Sequence, residues 1–373
     1  MIYEKGRAWI ELDLDNLHHN VKVLRSMLPK DCELMPVLKA NAYGHGAVLI
    51  ARELNKIGVQ NFCVATVSEA VELREYGIQG HILILGYTHP QQFKLLCQYD
   101  LTQTVVDMEH ATVLNEFGQS VQVHIAVDTG MHRLGERSDD LEKILQIFQM
   151  ENLTVTGLFT HLCTDDTDRI EDQVYAKRQV RSFYELVEKL RRHGYAPPIH
   201  VLSTYGLLNY PEFGGSYARI GIALYGVLSH QEDLDRCGLD LHPVLSVKAR
   251  VVTTKKLSPG EGVGYGLTYV ADCETRIAVI SVGYADGIPR RLSCCHGKVL
   301  INGSEAPIIG RICMDQMIVK LSDTANVKSG DVAVIIGSSD NQNITVYEMA
   351  NQCGTITNEI LSRLGERLNR VCI

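Results

Sequence analysis

Short apolar runs recur along the first part of the chain and end near Leu38, Ala65, Gly86, Val106, Val127, His161, Ser203 and Leu224. Most are separated by segments with apolar residues at helical spacing, such as DNLHHNVKVLRSML starting at Asp15. Another is the long EDQVYAKRQVRSFYELVEKLRRHG, which stops at a glycine. Thr66 and Glu69 have capping-box spacing ahead of AVELREYG. Alternation of this kind predicts an α/β fold, an N-terminal (β/α)8 TIM-type barrel over residues 12–240.

Beyond about residue 240 the period changes to two, in VLSVKARVVTTKKL, TRIAVISVGY, GKVLING and GDVAVIIG. These segments predict a mainly β domain over residues 241–373, joined by residues 1–11. WIELDL near the start is assigned to that domain rather than to the barrel. Short helices are expected near VYEMANQ and TNEILSRLGERL. A chain of 373 residues suits a large barrel plus a second domain.

Composition narrows the partners. Formal charge is -8 and the basic residues are dispersed, which lacks the footprint of nucleic-acid binding and favours a small-molecule ligand. No apolar run approaches the roughly 20 residues needed to span a bilayer, so no membrane contact is expected from this chain itself. MIYEKGRAWIELD lacks the succession of a secretory signal, and a cytoplasmic location is expected. The eleven cysteines are odd in number and never spaced Cys-x-x-Cys, which predicts reduced thiols and no metal site.

In parallel barrels, reactive groups sit at the C-terminal ends of the strands, and phosphate is often held after strands seven and eight. The first strand delivers Lys39, flanked by apolar Val37, Leu38 and Ala40, a setting that lowers an amine's pKa and suits an imine-forming lysine. His161 ends the sixth strand, and Arg219 lies in the eighth, on the same mouth. Ser203 and Thr204 follow strand seven, and the amides of Gly221 and Ile222 follow strand eight, where a phosphorylated cofactor would bind.

Five ordered segments, VLKANAYGHG, VDTGMHRLG, RIGIALYG, GYADGIPRRL and GRICMDQM, resemble the signatures of the alanine racemase family. The resemblance implies that Lys39 holds pyridoxal 5'-phosphate and that Tyr43, Thr204, Gly221 and Ile222 bind its phosphate. Arg219 would face the pyridine nitrogen and, staying protonated itself, keep that nitrogen unprotonated. Racemisation needs proton exchange on both faces of Cα. The family's arrangement assigns the second face to a tyrosine matching Tyr265, contributed by the other subunit of a homodimer, with His161 bridging it to Arg219. Tyr284, Met314 and Asp315 match residues lining the substrate entrance.

Two positions depart from the family pattern. Many members carry a carbamylated lysine where this chain has Ala126, which deprives Arg133 of the anionic partner that orients it toward the phenolic oxygen. Asn358 stands where alanine racemases usually place a tyrosine contacting phosphate. That second change resembles the serine-accepting racemases of vancomycin-resistance systems, in which the catalytic domain follows a membrane-embedded region of the same polypeptide. Interconversion of L- and D-alanine, L- and D-serine, or both is therefore expected, supplying D-amino acids for peptidoglycan precursors. The competing readings are a decarboxylase of basic amino acids using the same cofactor, disfavoured by Arg219, and a non-enzymatic carrier of pyridoxal phosphate, disfavoured by Tyr265 and the second domain.

Overall fold

A computed structural model describes residues 5–167 and 169–373. The chain forms two compact units, one of residues Val21–Ala42 and Ala47–Leu224, the other of the segment up to Asn20 with Tyr43–Gly46 and Tyr225–Ile373.

The first unit is a parallel barrel. Its strands are β1 (Glu33–Pro36), β2 (Asn61–Val64), β3 (His81–Ile84), β4 (Thr102–Val105), β5 (Val121–Asp128), β6 (Leu153–Phe159), β7 (Ile199–His200) and β8 (Tyr217–Ile220). Strands β2 to β7 pair in order, all parallel, and β8 pairs with β1 so that Arg219 lies opposite Met35. The ring closes through a parallel bridge between Val37 and Cys63 and through the Arg219 amide, which donates to Leu202 O at 2.9 Å.

The helices cover this ring because their apolar residues recur every three or four positions. Ile170–Arg192 buries Ala176, Val180, Phe183, Leu186 and Leu190, and each large side chain so buried contributes about 1.5–3 kcal/mol. Gly194, at φ 87°, takes the left-handed turn that ends this run. Thr66 and Glu69 form the expected capping box of the helix Val67–Glu75. One start differs from the sequence reading: the helix Leu14–Met27 is capped by Asp13, whose Oδ1 accepts the Asn16 amide at 2.9 Å, and Asp15 lies inside the first turn.

The second unit is mainly β. The long strand Leu245–Leu257 lies at its centre, antiparallel to Ala8–Leu12 with Ala8 opposite Ala249, and it also pairs with Thr275–Ile280 and Val332–Ser339. WIELDL thus belongs to this sheet, and Trp9, Ile10 and Leu12 are buried in its core. The helix Val346–Cys353 forms as read, whereas TNEILSRLGERL is helical only over Thr357–Ser362.

Candidate active site

The backbone aims Lys39 at the barrel mouth. The Val37 amide donates to Ile220 O and the Leu38 amide to Cys63 O, each at 2.8 Å, so both neighbouring strands grip the chain just before the lysine. Ala40, Asn41, Ala42 and Tyr43 then adopt left-handed φ values of 52°, 54°, 54° and 50°. For L-residues this conformation costs roughly 1–2 kcal/mol each and needs local support. Glu69 Oε1 accepts the Ala40 amide, Leu38 O accepts the Ala42 amide, and Asn41 Oδ1 accepts the Ala47 amide, all at 2.7 Å. Burial lowers the Lys39 pKa, and the positive charge of Arg133 lowers it further.

Arg219 is enclosed beneath the same mouth. Its Nη1 donates to His200 Nδ1 at 2.8 Å and His200 O at 3.0 Å, and Nη2 donates to Thr160 O at 2.8 Å and Val201 O at 3.3 Å. Nη2 also lies 3.4 Å from His161 Nδ1. These partners are carbonyls and imidazoles, with no carboxylate among them. Burial lowers the guanidinium pKa to about 10, which leaves it charged at neutral pH. Burial and the neighbouring Arg219 push His161 down to about 3, so its ring is neutral.

Ser203 caps the short helix Thr204–Asn209: its Oγ accepts the Gly206 amide at 3.0 Å and donates to Asp165 Oδ2 at 2.5 Å. The Thr204 hydroxyl accepts the Gly221 amide at 3.1 Å. A 3-10 turn over Ile222–Tyr225 follows. One hydroxyl after β7, that of Thr204, therefore meets one amide after β8, that of Gly221, while the Ser203 hydroxyl turns to its own helix and Asp165. Arg133 lies exposed in the loop after β5, while Ala126 is buried in that strand opposite Phe159.

In the second unit, Tyr265 opens a turn between Gly264 at φ 68° and Gly266 at φ 72° and is 68% exposed. It lines a groove of about 500 Å³ with Cys313, Met314 and Asp315. The Tyr284 amide donates to Cys313 O at 3.1 Å, which joins the GYADG turn to the same wall. Asp315 pairs with Arg367 at 2.6 Å. Asn358, half-buried, accepts from the Ser229 hydroxyl at 2.9 Å. The Tyr43 ring packs 5.3 Å from that of Tyr225.

Three site-supporting groups escaped sequence reading. His200 orients Arg219, His124 contacts His200, and Asp286, fully buried, accepts the Gly283 amide and pairs with Arg7 to shape the GYADG turn. A polar residue in an otherwise apolar strand, as in VHIAV, was the available signal for the histidines.

A parallel barrel with a lysine at the end of its first strand is carried in one chain with a mainly β domain, an architecture open to both the racemase and the decarboxylase readings. The family models described as "Alanine racemase, N-terminal domain" and "Alanine racemase, C-terminal domain" match residues 12–229 and 244–372, and the chain belongs to the alanine racemase family. It is 42% identical to an "Amino-acid racemase" of Enterococcus faecalis, over 98% of this chain and 52% of that protein. It is 35% identical to a "Serine/alanine racemase" of Enterococcus gallinarum, over 97% of this chain and 51% of that protein. The chain thus spans about half the length of these relatives. An "Alanine racemase" of Carboxydothermus hydrogenoformans is 39% identical, over 98% of this chain and 99% of its own. Among solved structures, alanine racemase from Bacillus anthracis with bound L-Ala-P superposes with TM-score 0.92 at 32% identity, covering 98% and 95% of the two chains. Histidine racemase from Leuconostoc mesenteroides superposes at 0.87 with 28% identity, covering 100% and 99%, so the fold alone does not select the side chain.

Proposed function

We propose that this protein is a pyridoxal 5'-phosphate-dependent racemase of alanine and serine that works as a homodimer. The observation that carries the reading is the pairing, on one barrel mouth, of a lysine with lowered pKa and a buried arginine bonded only to neutral acceptors. The residues fit the cofactor: Lys39 offers an amine, the Thr204 hydroxyl, which accepts the Gly221 amide, offers its own proton to a phosphate oxygen, and Arg219 offers a guanidinium to a ring nitrogen. When bound, pyridoxal phosphate supplies an electron sink for the carbon that loses its proton.

The chain's own groups do the rest. Lys39 Nζ, whose pKa is lowered by burial and by the nearby Arg133 charge, takes or returns the α-proton on one face. Tyr265 Oη of a second copy serves the opposite face. Arg219, charged at neutral pH, would donate to the ring nitrogen and leave it without a proton of its own, which would favour simple return of the α-proton. The exposed apolar surface of Tyr265, Leu267, Val270, Tyr284 and Met314 supports a second copy as the covering partner.

Asn358 supports serine as a substrate. Its Oδ1 is engaged by Ser229, which leaves its amide nitrogen as the end able to donate to a substrate hydroxyl. The resemblance to serine-accepting racemases supports a role in supplying D-amino acids for peptidoglycan precursors, including the D-serine of vancomycin resistance. No helix among the described residues is long and apolar enough to cross a membrane. The test is turnover of L-alanine and L-serine by the purified, cofactor-loaded protein, followed by chiral chromatography. Both D-enantiomers are expected; retention of both L-forms unchanged would refute the reading.

A further inference from the structure

His200 and Arg219 belong to a longer buried chain. Arg219 can only donate, so the 2.8 Å contact from its Nη1 requires a lone pair on His200 Nδ1. Burial, with Arg219 alongside, drives the His200 pKa well below its ordinary value and keeps the ring neutral. Its single proton is therefore on Nε2, which lies 2.9 Å from His124 Nδ1. His124 must accept there, which puts its own proton on Nε2; burial holds its pKa near 3, so this ring is neutral too. The hydrogen bonds run in one direction, from Arg219 to His200 to His124.

The pocket around His124 is shaped for an imidazole. A Cβ on Gly157 of the neighbouring strand β6 would come 2.5 Å from the ring, so the glycine provides its floor. His81 stacks on it at 5.3 Å between centroids, and His81 Nε2 is itself 2.7 Å from Thr102 Oγ1. His124 and His200 are both fully buried, so water is not at hand to replace either partner.

We propose that His124 is a positioning residue that selects the Nε2-protonated tautomer of His200 and thereby holds the Arg219 guanidinium in place. Without an acceptor at this position, the buried Nε2–H of His200 loses its partner. Moving the proton to Nδ1, or turning the ring, then relieves the unpaired donor at the cost of pointing N–H at the donor-only Arg219. The inference rests on the reading that Arg219 addresses the cofactor ring, but the tautomer itself does not.

The experiment is two-bond 15N–1H correlation of histidine-labelled protein, recorded with and without pyridoxal phosphate. In the unsubstituted protein His200 should carry its proton on Nε2 alone; a proton on Nδ1 overturns the proposal without any variant. His124→Asn keeps an acceptor near the old Nδ1 position and should retain that tautomer. His124→Phe keeps ring bulk without an acceptor and should raise the Nδ1–H population of His200 by about tenfold. An unchanged Nε2–H tautomer in folded His124→Phe overturns the proposal, as does its loss in folded His124→Asn. The cofactor-free spectra report on the relay even if cofactor binding fails, and loss of the cofactor spectrum alone would count against the functional reading instead.

Discussion

The Glu69 carboxylate holds the Ala40 amide at 2.7 Å through one oxygen and the Ala65 amide at 2.7 Å through the other. The same residue completes the capping box of Val67–Glu75, so a helix start and the turn behind Lys39 share one anchor. Glu69→Ala should cost about 1 kcal/mol for the cap and more for the left-handed turn that loses its support. A drop in thermal midpoint together with weaker cofactor retention is expected; a stability loss with unaltered retention would separate the cap from the lysine turn.

Lys39 should react as an unusually free amine. Its lowered pKa means that, in cofactor-free protein, acylation of Lys39 followed by peptide mass spectrometry should rise with pH and level off below the ordinary lysine value of 10.5. Arg133→Gln removes a neighbouring positive charge, so the curve should move to higher pH. A curve identical to that of surface lysines would contradict the site's electrostatics.

Buried neutral histidines set the acid limit. Burial lowers His124 from 6.5 to about 3 and His200 well below 6.5. Below pH 6.5 the unfolded chain takes up protons that the folded chain refuses, so stability falls as pH drops from 6.5 toward 3. The slope reaches up to about 1.4 kcal/mol per pH unit for each histidine. Urea midpoints measured from pH 7 to 4 should decline, and His124→Asn should flatten the decline.

The barrel, the β domain and most groups at the mouth were legible in the sequence because strand-end position and periodicity are local signals. Lys39, Ser203 and Thr204 each follow an apolar run and Arg219 lies within the eighth strand, and the fold rule alone nominates them. The histidine relay was not legible, since its members lie 76 and 19 residues apart and meet only through strand register. The left-handed turn after Lys39 was hidden for a different reason: Ala40, Asn41 and Ala42 read as small, and nothing local marks φ as positive. Asp13 displaced Asp15 as the helix cap because the choice depends on backbone geometry that two nearby aspartates leave open.

Asn358 should govern substrate preference. Asn358→Tyr removes the amide donor and fills space, so serine turnover should fall about tenfold or more relative to alanine. Competition assays with both L-amino acids read this directly, and equal losses would show that the position does not discriminate.

The proposed active site draws Lys39 and Tyr265 from different copies. Lys39→Ala and Tyr265→Ala proteins should each be inactive, and differently tagged copies produced together should regain activity. Random pairing makes half of the dimers mixed, each with one intact site, so about a quarter of the parental activity is expected. Recovery confined to the doubly tagged fraction is the predicted result; no recovery in a verified mixed dimer would contradict the account.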